Sequence, residues 1–206
     1  PVSAVDEAAR VLPIVEAVKR ETGLPVSIDT YKAEVARAAL EAGADMVNDI
    51  WGLRRDGGEM AALIAGTGPA CCLMHNREKA EYGNFLEDFC QDMRDSLAIA
   101  KEAGIADEQI ILDPGVGFGK NYEHNLTIIH HLERLCGMGY PVLLATSRKS
   151  CIGQALDLPT DQRVEGTMVT TVMGVLKGAA FVRVHDVKEN LRAIRMTQAI
   201  LRDGKD

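Results

Sequence analysis

Ile110–Lys120 reads IILDPGVGFGK: a β-branched apolar run ends in a carboxylate and passes at once into a loop with three glycines. A continuous apolar run bounded by Pro and Gly is the pattern of a strand buried on both faces of a parallel sheet. A charge at the end of such a strand belongs at an opening, where it can meet solvent or a ligand. The glycines let the backbone come close to whatever lies there. A dinucleotide fold would place Gly-x-Gly-x-x-Gly after its first strand, whereas GVGFGK follows a late one, so a Rossmann arrangement is disfavoured.

The chain on either side repeats one unit. PVSID, DMVNDI, ACCLMH, QIILD, PVLLATS and FVRVHD each precede a longer stretch of helical periodicity, and the helical stretches commonly end near glycine. Six strand–helix units of this kind predict an α/β fold of the (β/α)8 TIM-barrel type. Before them stands a helix expected from Ser3 to about Thr22, with a Ser3/Asp6 capping pattern, Val11, Ile14, Val15 and Val18 on one face, and Pro13 expected to kink or split it. Such barrels run to about 250 residues. With 206 residues and six strands, the expectation is a single domain over 1–206 holding strands 3–8 and their helices, the first two strands missing from its N-terminal side.

Composition narrows the function. The formal charge is −7, no basic block occurs, and 47% of residues are hydrophobic, so a nucleic-acid or anionic-membrane surface is not expected. No stretch approaches the roughly 18 apolar residues of a membrane span, and the acidic PVSAVDEAAR start does not resemble a secretory signal, which suggests a cytoplasmic protein. Five cysteines without metal spacing read as reduced, packed thiols.

In barrels of this type chemistry gathers at the C-terminal ends of the strands. There stand Asp29, Asn48, Met74 with His75, Asp113, Ser147 with Arg148 and Lys149, and Arg183 with His185. Two carboxylates, a carboxamide and a lysine beside a glycine loop suit a flat heterocycle with donors and acceptors on its edge. Arg183 and His185, two residues apart on one strand, suit a phosphate-like group. Phe118 offers a ring for stacking. His75 is expected to serve loop structure, Trp51 to pack under the next loop, Lys120 to contact the site or cap its loop, and His130 and His131 to be solvated or to cap a helix.

Together, SIDTYKAEVARAALEAGADMVNDI, ILDPGVGFGK, ATSRKSCIG and FVRVHDV resemble successive motifs of the dihydropteroate synthase family. The resemblance implies condensation of 6-hydroxymethyl-7,8-dihydropterin diphosphate with p-aminobenzoate, releasing pyrophosphate through a dissociative substitution, by an enzyme inhibited by sulfonamides. Asp29, Asp113 and Lys149 would be catalytic, and Asp29, Asn48, Met74, Asp113, Gly117 and Lys149 would hold the pterin. Phe118, Ser147, Arg148 and Lys149 would border p-aminobenzoate, and Arg183 and His185 would take the pyrophosphate. The family also implies Mg2+, whose ligand belongs to a strand motif not found in this sequence, as well as a homodimer formed through the late helices. The absent motifs imply weak or no turnover by the chain as given. Two alternatives are a corrinoid-dependent methyltransferase of the pterin-binding class and a non-catalytic pterin- or phosphate-binding module.

Overall fold

The computed structural model describes residues 2–204. Two compact units divide it, the first holding the residues up to His75 with Gln91–Ile111, the second Asn76–Cys90 with the residues from Leu112 onward. The division falls inside helix α4 (Phe85–Ala103) and strand β4 (Ile110–Asp113).

The first unit opens with α1 (Ala4–Thr22), capped by the Ser3 side chain, which accepts from the Asp6 amide, and closed by the left-handed Gly23. Of the expected kink or split at Pro13, the split does not occur: α1 runs unbroken through it. The carbonyl that loses its helical donor belongs to the exposed Ala9, where water can serve it. The expected apolar face is only partly used: Val15 is buried, while Ile14 and Val18 are exposed. Strands β1 (Ser27–Asp29), β2 (Met46–Asp49) and β3 (Ala70–Met74) pair in parallel through Ser27↔Met46 and Met46↔Ala70, with β4 next in order. Parallel neighbours require crossovers, which α2 (Ala33–Glu41) and α3 (Glu59–Thr67) provide. Met60, Ile64, Leu73, Met74, Met93 and Ile110 are fully buried here, each contributing about 1.5–3 kcal/mol relative to exposure.

In the second unit Leu112 bridges Val142 in parallel, and β5 (Leu143–Leu144) pairs in parallel with β6 (Phe181–Val182). The helical stretch expected after β4 is broken into α5 (Tyr122–His130) and α6 (Glu133–Cys136). A helix not foreseen, α7 (Ser150–Leu156), follows the SRK turn and precedes α8 (Val164–Leu176), and α9 (Val187–Asp203) ends the chain's described part. Phe89, Leu112, Ile128, Leu132, Leu135 and Leu144 fill this core. Among the described residues no helix is long and apolar enough to cross a membrane.

Candidate functional site

Each unit carries part of the predicted set, and the register explains which residues meet. In the first unit β1 and β2 align Asp29 with Asn48, so the Asn48 Nδ2 group donates to Asp29 Oδ2 at 3.0 Å. Asn48 is wholly buried, and its Oδ1 atom has no hydrogen-bond partner. A buried carboxamide oxygen left open costs free energy in the empty protein and is recovered by a ligand donor. Met74 ends β3 as a buried apolar wall.

His75 does not join this set. Its Nε2 lies 2.9 Å from Asp92 Oδ2, and Asp92 also meets Arg54 at 3.2 Å, so the imidazole belongs to an ionic network of α4. Trp51 carries the Arg55 guanidinium 4.3 Å above its ring. Asp49, which the sequence did not flag, accepts from the amides of Trp51 and Leu53 at 2.9 and 2.8 Å and shapes the turn after β2.

In the second unit the opening motif acquires its physical meaning. Asp113 is fully buried at the end of β4; one carboxylate oxygen accepts from the Gly115 amide at 2.7 Å, and the other has no hydrogen-bond partner. Burial pushes its pKa up to about 6, against the opposing pull of the Gly115 N–H and the charges of Arg183, Lys120 and Lys149. A buried carboxyl with one open oxygen, among cations, has the chemistry to accept paired N–H donors.

The glycine loop around it is tight. Gly117 has φ +86°, its amide donates to Asn125 Oδ1 at 2.7 Å, and a Cβ there would stand 3.1 Å from the Lys149 side chain. The Lys149 ammonium lies 4.3 Å from the centre of the Phe118 ring. Lys120, by contrast, donates to the carbonyls of Gly115 and Phe118, each at 3.0 Å, and caps the loop.

The SRK and RVH motifs also meet. Ser147 Oγ lies 2.8 Å from His185 Nδ1 and accepts from the His185 amide at 3.1 Å. Arg148 is engaged through two hydrogen bonds by Asp186, a partner the sequence did not flag, at 3.1 and 2.7 Å. Arg183 and His185 are exposed and lie just past β6, which ends at Val182, rather than on the strand as expected. Within this unit the structure thus brings together Asp113, Gly117, Phe118 and Lys149, and separately links Ser147 with His185.

Among the remaining residues, His131 sits at the end of α5 beside Glu133, and His130 is exposed. Cys71, Cys72, Cys90 and Cys151 are buried, Cys136 partly so, and none of the five forms a disulfide. Among the described residues no group of three or more His, Cys, Asp or Glu is placed to hold a metal ion.

Comparison with known proteins bears on the same features. Residues 1–185 match the family described as pterin binding enzyme. Dihydropteroate synthase of Clostridium beijerinckii is 55% identical over 202 residues, covering 98% of this chain and 75% of that protein. The chain belongs to the dihydropteroate synthase family. Its fold matches the Xanthomonas albilineans enzyme solved with 7,8-dihydropteroate at a TM-score of 0.93 and 36% identity, over 98% of this chain and 76% of that one. It matches the Yersinia pestis enzyme solved with a sulfonamide drug at 0.92 and 37% identity, over 99% and 76%. The fold class is that of the TIM barrel, and the family is one of transferases.

Proposed function

We propose that this chain condenses 6-hydroxymethyl-7,8-dihydropterin diphosphate with p-aminobenzoate, and that Asp113 anchors the pterin. The observation that carries this is the open oxygen of a fully buried carboxylate. The ring's amidine-like edge supplies the two N–H donors such a group lacks, and Gly117 of the same unit adds a pterin contact. Lys149 reaches the ring's acceptor side. Phe118, Ser147 and Arg148 border p-aminobenzoate, and Arg183 and His185 take the diphosphate.

The reaction is a dissociative substitution. The bond from the pterin methylene carbon to the diphosphate oxygen breaks with its electron pair leaving on pyrophosphate, and the resulting cation is stabilised by the carboxylate of Asp113. The aniline nitrogen then forms the new C–N bond and loses a proton. By the same chemistry a sulfonamide competes for the p-aminobenzoate position. Five cysteines outside any disulfide accord with a cytoplasmic protein.

A homodimer completes the proposal. Val169 and Leu176 of α8 and Leu191, Met196, Ile200 and Leu201 of α9 are exposed large apolar residues. Met168, Val172, Val175 and Ile194 beside them are half-buried. Sedimentation at micromolar concentration reads the oligomeric state.

Calorimetric titration combined with pyrophosphate detection tests the function. Binding of the pterin diphosphate, followed by p-aminobenzoate binding and pyrophosphate release, is the expected result. Binding of methyltetrahydrofolate with no response to the diphosphate would replace the synthase with a methyltransferase.

A further inference from the structure

The SRK turn carries a backbone conformation that its own residues do not favour. Arg148, a non-glycine residue, has φ +57°, in the left-handed region where a side chain crowds the following carbonyl. Such a conformation persists only when its surroundings hold it. The N-terminal turn of α8 does so. The Arg148 amide donates to Thr167 Oγ1 at 3.1 Å, and the Thr167 hydroxyl donates onward to the Arg163 carbonyl at 2.9 Å. From the same turn, Arg163 Nη1 donates to the carbonyls of Arg148 and Lys149 at 3.0 and 3.4 Å, and its Nε to the Leu158 carbonyl at 3.0 Å.

We infer that Arg163 is the positioning residue that holds this turn in the shape presenting Lys149 to the Phe118 ring. The inference rests on the proposed role of Lys149 and deepens it. Arg163 is assigned no contact with substrate; it acts through the main chain on either side of the Lys149 Cα. Only a planar guanidinium serves three carbonyls in fixed directions, since a lysine ammonium is a single point of charge on a flexible stem. The guanidinium lies flat against Gly153 of α7, where any Cβ would overlap it. Glycine at 153 and arginine at 163 are therefore one device. When the fork is lost, the left-handed residue relaxes, and the ammonium leaves its place 4.3 Å from the Phe118 ring centre.

Two readouts on the full chain test this. Amide exchange followed by mass spectrometry should show Arg148 and Lys149, whose amides are bonded to Thr167 and to the Thr146 carbonyl, exchanging about tenfold faster in Arg163→Lys, with β1–β3 unchanged. Gly153→Ala, which displaces the guanidinium without removing it, should give the same local change and serves if Arg163→Lys fails to fold. In turnover, Arg163→Lys should lower kcat/KM about tenfold in the wild-type background and cause no further loss on top of Lys149→Ala. A residue that merely supported the fold would give additive losses and exchange spread over the unit. Unchanged exchange at residues 148–149 in either variant, or additive losses, would overturn the assignment. If the wild-type chain makes no dihydropteroate, the functional proposal falls, while the exchange result still decides whether Arg163 holds the turn.

Discussion

Replacing Asp113 by Asn should stabilise the empty protein at neutral pH while crippling its binding of pterin. An aspartate in water ionises near 3.8, and burial lifts Asp113 to about 6. A group whose folded pKa is raised contributes its stability below the unfolded pKa and loses it as pH rises through the folded one. Between about pH 4 and pH 6 the wild-type protein should therefore lose about 3 kcal/mol that Asp113→Asn keeps. For a chain of this size each kcal/mol moves the midpoint by about 2–4 °C, so the variant should melt about 6–12 °C above wild type at pH 7.5 and level with it near pH 3.5. The gain has a counterpart. At pH 7.5 the variant should bind the pterin ring about 2–5 kcal/mol more weakly, since an amide cannot accept the paired donors as a carboxylate does. Differential scanning fluorimetry across pH and calorimetric titration read the two effects on the same preparations. Parallel melting curves at all pH values, or undiminished pterin affinity, would refute the assignment of Asp113 as a strained, open receptor.

Arg183→Ala should leave the bare pterin bound as before and weaken the diphosphate by about 1.5–3 kcal/mol in the same titration, as expected for a hydrogen bond to a charged group; equal losses for both ligands would remove Arg183 from the anion. Phe118→Leu keeps an apolar wall but removes the ring beneath Lys149, so KM for p-aminobenzoate should rise by about 1 kcal/mol equivalent, roughly fivefold, with little change in melting temperature. Gly117→Ala places a Cβ against Lys149 at φ +86° and should cost about 1–2 kcal/mol of stability, read by urea melts, while lowering turnover more than that loss explains.

The strand–helix alternation was legible because parallel strands buried on both faces read as apolar runs: Cys71 to Met74 and Ile110 are buried as the pattern requires. Asp113 was legible because a charge closing such a run has no role in a core. What escaped, and the particular partner His75 takes, was set by residues distant in sequence. The SRK turn looks like an exposed polar loop, yet Thr167 and Arg163, 19 and 15 residues beyond Arg148, hold it, and neither carries a motif. The helix α7 is short and includes glycine, so periodicity gave no signal for it. His75 ends an apolar run as Asp113 does and was expected to be structural; its partner, the Asp92 carboxylate on α4, 17 residues away, was not legible. Pro13 reads as a breaker in any sequence, yet α1 continues through it, with the carbonyl it deprives on the exposed Ala9.

A buried acid with an unmet oxygen should find its complement in a ring bearing adjacent N–H groups. Determining the structure of this chain with the pterin diphosphate bound tests that most directly. The account places the ring's amino and ring N–H donors within hydrogen-bond distance of Asp113 Oδ2, with Lys149 on the acceptor edge. A pterin seated elsewhere, with the second Asp113 oxygen still unpartnered, would contradict it.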